Sequence, residues 1–285
     1  KYAQELQSLV GRDSGFRGGL SSIFLSGELG SVQHYSVLLA GHKLNSDKVF
    51  QFLCHQVNIR TLIYMFAEER TQLFDSMIPI WAHDIYNLPA DAKAEDLKRV
   101  YEKIKPDDSL MKDLKERMLD WNYELPSQKR KIRATLGLIS TNMNDMCKQA
   151  VRIEDVMRTR KSRGNPEPFH IDHVLPQSKA KGNRIFHSIG NLTLLEPPAN
   201  LAALDTHPSK KRDFYKQCSL VLTKTLCGYD LSIPAQTRKV KQLGKEIGSE
   251  KPNWDLDNWD DASVESRGTF IYEYFCQIAA DCWKI

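Results

Sequence analysis

The residues of this chain best suited to chemistry lie in His170-Ile171-Asp172-His173-Val174-Leu175-Pro176-Gln177-Ser178 and in the asparagines that follow, Asn191 and Asn200. Histidine is the side chain whose protonation changes nearest neutral pH, and a carboxylate or amide oxygen can hold a cation. Phosphodiester hydrolysis asks for a base to activate water, a cation to neutralise developing charge, and fixed geometry for in-line attack. An Asp-His pair at the end of a short apolar strand, followed by two asparagines, has the layout of a one-metal phosphodiesterase site. Taken singly, each residue has a blander reading. Asp172 reads as a surface acid, His173 as a core histidine and Asn191 as a turn residue after Gly190. Their order and setting favour the shared reading.

The elements that must position them can be read next. Phe169 to Val174 reads as a strand that Pro176 ends, and Ile189 to Leu195 reads as a second, buried strand. Pro197-Pro198 then enforces a turn and pre-sets the first turn of a helix that contains Asn200. The result is a strand, strand, helix unit. Neighbouring strand residues face opposite ways, so Asp172 and His173 converge on one point only through strand-end geometry or a bulge. Basic residues bracket the motif. Arg158, Arg160, Lys161, Arg163, Lys179, Lys181 and Arg184 lie before and within it, and Lys210, Lys211, Arg212 and Lys216 follow. A charge run usually marks a solvated face, but these runs flank the place where a phosphate backbone would lie.

The arrangement resembles the HNH endonucleases, whose fold is the ββα-metal finger. The resemblance implies that Asp172 binds metal, that His173 is the general base, that Asn191 orients the backbone near it, and that Asn200 is the second metal ligand. Oxygen donors without cysteine imply Mg²⁺ or Mn²⁺. His170, His187 and His207 are secondary candidates, with His207 an alternative to Asn200. Lys179, Lys181, Arg184, Lys210, Lys211 and Arg212 are candidate DNA and phosphate contacts. A wider resemblance rests on Ile189-Gly190-Asn191-Leu192-Thr193-Leu194-Leu195, Asn200, the Lys211 to Tyr215 segment, and Trp254, Arg267 and Trp283 in the tail. These are similar to the C-terminal half of GmrSD-type, SspE-like restriction proteins, a group tied to anti-phage defence and phosphorothioate-modified DNA. That likeness implies an HNH endonuclease that nicks DNA, a bacterial cytoplasmic setting, a possible oligomer, and a separate N-terminal nucleotide-hydrolysing half. The chain begins Lys1-Tyr2-Ala3, which suits a fragment. The reading from another class is a non-cleaving DNA-binding or sensor module built on a degenerate HNH unit.

The remainder of the chain reads as scaffold. Its 285 residues, 41% hydrophobic and 27% charged, suit a water-soluble globular protein, and no apolar run is long enough to span a bilayer. A net charge of +4 is too mild by itself to argue for nucleic acid. Six cysteines without a CxxC pair read as reduced thiols. The expected fold is mainly α: a helical scaffold over 1–160, the small ββα-metal unit over 161–228, and a linker and packing helix over 229–285. Helices are expected from Ser46 to about Arg70, Asp75 to Tyr86, Asp91 to Pro106, from a Ser109 cap onward, and Gln128 to about Lys148. After Tyr229 a polar linker through Gly244, Gly248 and Pro252 is expected to lead to a tail helix carrying Phe270, Ile271, Tyr274 and Ile278.

Overall fold

The computed structural model describes residues 24–67, 71–103, 105–149, 151–157, 169–179, 182–203, 205–249 and 254–281. The fold is mainly α, with a single two-stranded sheet among the described residues. The chain divides into two compact units, Lys1–Arg117 with Ala279–Ile285, and Met118–Ile278. Both boundaries drawn from the sequence, at 160 and at 228, fall inside the second unit.

The first unit is built from α1 (Phe24–Glu28), α2 (His34–Ala40), α3 (Asp47–Ala67), α4 (Thr71–Tyr86), α5 (Ala94–Glu102) and the start of α6 (Asp108–Asp120). Helix α3 is buried almost all round, with Leu53, Val57, Leu62 and Phe66 inaccessible, so it forms the centre of the unit. Trp81, Ile85, Leu97, Tyr101, Leu110 and Leu114 are buried in the same unit. Asp107, not the expected Ser109, caps α6, its Oδ1 accepting from Leu110 N at 2.7 Å.

Burial also holds His34 uncharged, lowering its pKa from 6.5 to about 4. In the unfolded chain it protonates near 6.5, so its contribution to stability is complete above that pH and is lost as pH falls toward 4. Denaturation midpoints measured across this window are expected to fall with acid, at up to about 1.4 kcal/mol per pH unit for the group. The slope should be shallower in His34→Gln, the remainder coming from other buried histidines such as His173.

The second unit holds the motif. Helix α7 (Pro126–Met146) starts at Pro126, which suits a first helical position, and stops before Lys148, whose φ is 56°. Arg133 of α7 is buried. It donates to Phe169 O at 2.7 Å and Val156 O at 3.1 Å, tying the entry of the first strand to α7 and to α8 (Ile153–Met157). Strand β1 (His170–His173) pairs antiparallel with β2 (Leu192–Leu195), in register His170 to Leu195, Ile171 to Leu194, Asp172 to Thr193 and His173 to Leu192. The second strand is shorter than expected, because Ile189–Asn191 forms a 3₁₀ turn ahead of it. Helix α9 (Pro197–Ala203) follows at once, giving the strand, strand, helix order.

A lone hairpin this short is not stable, so its neighbours must hold it. Strand β2 is wholly buried, against α7 and α11 (Val221–Lys224). Asn144 of α7 fixes α11 by donating to Ser219 O and accepting from Val221 N, each at 2.9 Å. Between α9 and α11 the chain forms a 3₁₀ turn, Pro208–Lys211, and α10 (Arg212–Gln217). The expected linker after Tyr229 instead contains α12 (Pro234–Glu246). Pro234 starts it, and Val240 and Leu243, three apart, supply a buried stripe. Gly244, read as a breaker, serves close packing: a Cβ there would lie 2.4 Å from Ser249 O. The tail helix α13 (Asp261–Asp281) is present as expected.

Candidate active site

Strand β1 presents two faces. Residues two apart share a face, so His170 and Asp172 lie on one and His173 on the other. The observed pairing is regular, and β1 has no bulge to bring Asp172 and His173 together.

On the first face, Asp172 is 4% exposed and Lys211 is 1% exposed. Lys211 Nζ donates to both carboxylate oxygens of Asp172, at 2.9 and 3.2 Å, and to His173 O. Tyr215 Oη, fully buried, donates to Asp172 Oδ2 at 2.8 Å. Burial raises the Asp172 carboxyl above its ordinary range, opposed by the Lys211 charge and by the bonds from Lys211 and Tyr215. Burial, then the neighbouring Asp172 charge, pushes the Tyr215 phenol well up, so it stays a donor. The expected ligand Asp172 is therefore anchored in an internal ion pair. Lys211, expected at a phosphate, is its partner. The sequence carried a signal for this: Lys211 and Tyr215, four apart, present one helical face.

Near the strand entry, Asn200 of α9 lies with its Nδ2 at 3.3 Å from His170 Nδ1, both residues half-buried. An amide nitrogen turned to His170 leaves Asn200 Oδ1 as a donor for a cation. His170 was only a secondary candidate by sequence. His207, the alternative to Asn200, caps the 3₁₀ turn by accepting from Ser209 N. Among the described residues no group of three or more His, Cys, Asp and Glu side chains is placed to hold a metal ion. The donors that fit one are Asn200 and His170. Asp172 shares their face of the hairpin, but its oxygens are engaged.

On the second face, His173 is 9% exposed and its pKa is lowered from 6.5 to about 3, first by burial, then by His187, Lys211 and Lys129. Its ring meets Tyr123 edge-on at 4.6 Å between centroids and His187 at 5.6 Å. Gln177 Nε2 lies 3.4 Å from His173 Nε2. The imidazole is thus neutral near neutral pH, with a nitrogen able to accept a proton.

Asn191 joins the two strands. Its Oδ1 accepts from Leu175 N at 2.8 Å and Trp259 Nε1 at 2.9 Å, and its Nδ2 donates to Leu175 O at 3.0 Å and Phe186 O at 2.7 Å. Its carbonyl accepts from Val174 N at 2.8 Å. A buried amide with both ends satisfied fixes the chain directly after His173. Arg267 of α13 backs it, donating to Gly190 O at 2.8 Å and Leu192 O at 2.6 Å. Burial lowers the Arg267 pKa from 12.5 to about 10. No spacing in the sequence tied Trp259 or Arg267 to Asn191, because each lies far along the chain.

Gly190 lets α13 approach this turn: a Cβ there would sit 2.0 Å from Val264 O. Backbone cannot give way cheaply, so Gly190→Ala is expected to cost about 1–3 kcal/mol. Chemical denaturation would show it, and a midpoint unchanged from the parent would mean that α13 does not press on this turn.

The basic candidates are dispersed. Lys179 and Lys210 are exposed. Arg184 pairs with Asp120 at 2.9 Å, and Arg212 with Asp257 at 2.9 Å, both at the surface. Lys181 and the Arg158 to Arg163 cluster lie outside the described residues. A cavity of about 270 Å³ is lined by Lys216, Lys224, Cys227, Asp230, Leu231 and Ser232 and takes in none of the motif residues. No helix among the described residues is long and apolar enough to cross a membrane.

A family model described as GmrSD restriction endonucleases, C-terminal domain, matches residues 111–273, more than half of the chain. Comparison with curated proteins and with solved structures gave no match. The matched span contains the hairpin, α9, the Lys211–Asp172–Tyr215 cluster, and the Trp259 and Arg267 supports, so the residues gathered around Asn191 all come from it. The chain belongs to the GmrSD restriction endonucleases through their C-terminal domain.

Proposed function

We propose that this chain is a metal-dependent HNH-type endonuclease that nicks DNA, the effector part of a restriction or anti-phage protein. The observation that carries the reading is the Asn191 clamp, which fixes the backbone after His173 while that imidazole stays neutral. His173 takes a proton from the water that attacks phosphorus in line, Asn191 and Arg267 keep its strand end from moving, and Gln177 orients the ring. A pKa near 3 makes a weak base. A phosphodiester anion placed against the ring favours the imidazolium and offsets the effect of burial. A divalent ion, Mg²⁺ or Mn²⁺, would supply positive charge for the phosphorane and the departing oxygen; Asn200 with His170 would hold it, and the phosphodiester would have to pass round the end of β1 to meet both it and His173. Asp172 would hold the His173 carbonyl through Lys211, and would reach the ion only if Lys211 released it.

One such centre cuts one strand per encounter, so a double-strand break would need two copies or two events. A nucleotide-hydrolysing half, action on phage or phosphorothioate-modified DNA, and a cytoplasmic setting belong to the same proposal. The second reading, a DNA-binding module that does not cut, draws support from the engagement of both Asp172 oxygens by Lys211 and Tyr215.

Conversion of supercoiled plasmid to open circle separates the two. Nicking is expected with Mg²⁺ or Mn²⁺ and is expected to stop when a chelator removes the ion, on plasmid with or without backbone phosphorothioate. Binding that persists without metal, with no nicking under any divalent ion, would establish the second reading instead.

A further inference from the structure

The face of His173 away from Asp172 carries an exposed cation that the reaction as described does not use. Lys129, in the first turn of α7, holds its Nζ 4.1 Å from the centroid of the Tyr123 ring. That ring in turn meets the His173 ring edge-on at 4.6 Å. The ammonium, the aromatic ring and the imidazole therefore form a continuous row, and the Lys129 charge is felt at His173.

The row is held rigidly from behind. Tyr123 N donates to His187 O at 2.9 Å, so the Tyr123 backbone is fastened to the segment that carries His187. Gln128 Oε1 accepts from Asn122 N at 2.7 Å, and Asn122 Oδ1 accepts from Glu124 N at 2.9 Å. The turn that leads into α7 is thus locked by its own side chains. Glu124 lies 4.0 Å from His187 Nε2, and Lys129 has no acidic partner among the described residues.

A lone cation held over an aromatic face keeps its other donors turned to solvent. The chemistry such a group recognises beside a phosphodiesterase base is a non-bridging phosphate oxygen. We propose that Lys129, seated on Tyr123, anchors a backbone phosphate of the DNA and so brings the scissile phosphate against His173. This rests on the reading of His173 as the base of a DNA nuclease. It differs from the basic candidates of the sequence, which lie on the motif itself, because Lys129 comes from the helix that supports the motif.

Binding of a fluorescently labelled duplex, followed by anisotropy without divalent ion and across about 50 to 200 mM salt, tests the anchor directly. Lys129→Gln is expected to weaken binding several-fold and to reduce the slope of log K against log salt by about 0.9, the loss of one phosphate contact. Lys129→Arg should keep the slope. Lys245→Gln, a change at an exposed lysine of α12, should match the parent. In the nicking assay Lys129→Gln should raise KM and leave kcat within about threefold. A Lys129→Gln chain with the parent's affinity and slope would overturn the anchor. If the parent binds with Lys129-dependent slope but never nicks, the anchor stands and the nuclease reading fails. If the parent shows no salt-dependent binding, both fail.

Discussion

His173→Ala is expected to lower the rate of plasmid nicking by at least about 10²-fold, the low end of what a positioned general base contributes. The expectation rests on placement as much as on residue type. His173 ends β1, its carbonyl accepts from Lys211, and the two residues after it are bonded to Asn191. These are backbone restraints that survive removal of the imidazole, so the variant should keep the fold while losing the proton acceptor. Its ring also packs against Tyr123 and His187, and truncation leaves a small void there. His173→Gln fills more of that space and separates lost chemistry from lost packing. Both variants should be equally inactive, with denaturation midpoints close to the parent's. A His173→Gln chain that nicks at the parent's rate would sink the assignment. His187, whose buried Nδ1 has no partner among the described residues, would then be the histidine to test.

How far the site was legible depends on the sequence distance over which each part acts. The strand, strand, helix order could be read because its signals are local: Pro176 after one apolar run, a second run, then Pro197-Pro198. Helix α12 was missed because its polar face dominates the composition and Gly244, with Gly248 just beyond its end, read as a breaker, although Gly244 is there for close packing. The partners of Asp172 and Asn191 act across the chain. Nothing local to Asp172 says that its carboxylate meets Lys211 and Tyr215 in place of solvent or an ion. Nothing near Asn191 points to Trp259 or Arg267. A basic run cannot show which of its members turns inward, which is why Lys211 reads as a phosphate contact until its burial is known. The family likeness covered the Lys211 to Tyr215 segment and the tail, but it paired neither with Asp172 or Asn191.

The inward turn of Lys211 leads to the second large effect. Lys211→Met removes one member of an ion pair in which both partners are almost inaccessible. The Asp172 carboxylate would keep its bond from Tyr215 but lose its only cationic partner among the described residues, so a buried charge would be left under-compensated. Breaking such a pair from one side typically costs about 3–5 kcal/mol. The comparison that identifies the cause is the double variant Lys211→Met with Asp172→Leu. It removes both charges, and replacing a buried pair by apolar groups is often close to neutral, so much of the lost stability should return. Tyr215→Phe deletes one hydrogen bond to the same carboxylate and should cost less, about 1–3 kcal/mol. Urea denaturation of the four chains should place Lys211→Met lowest, with Tyr215→Phe and the double variant, whose buried Tyr215 hydroxyl loses its acceptor, between it and the parent. A single Lys211→Met loss below about 1 kcal/mol would mean that the carboxylate finds water or protonates at little cost. Because Lys211 also holds the His173 carbonyl, the single variant should lose nicking along with stability. The double variant, refolded but without the tether, should regain stability without full activity. That split would separate the role of the pair in holding the fold from its role in placing His173.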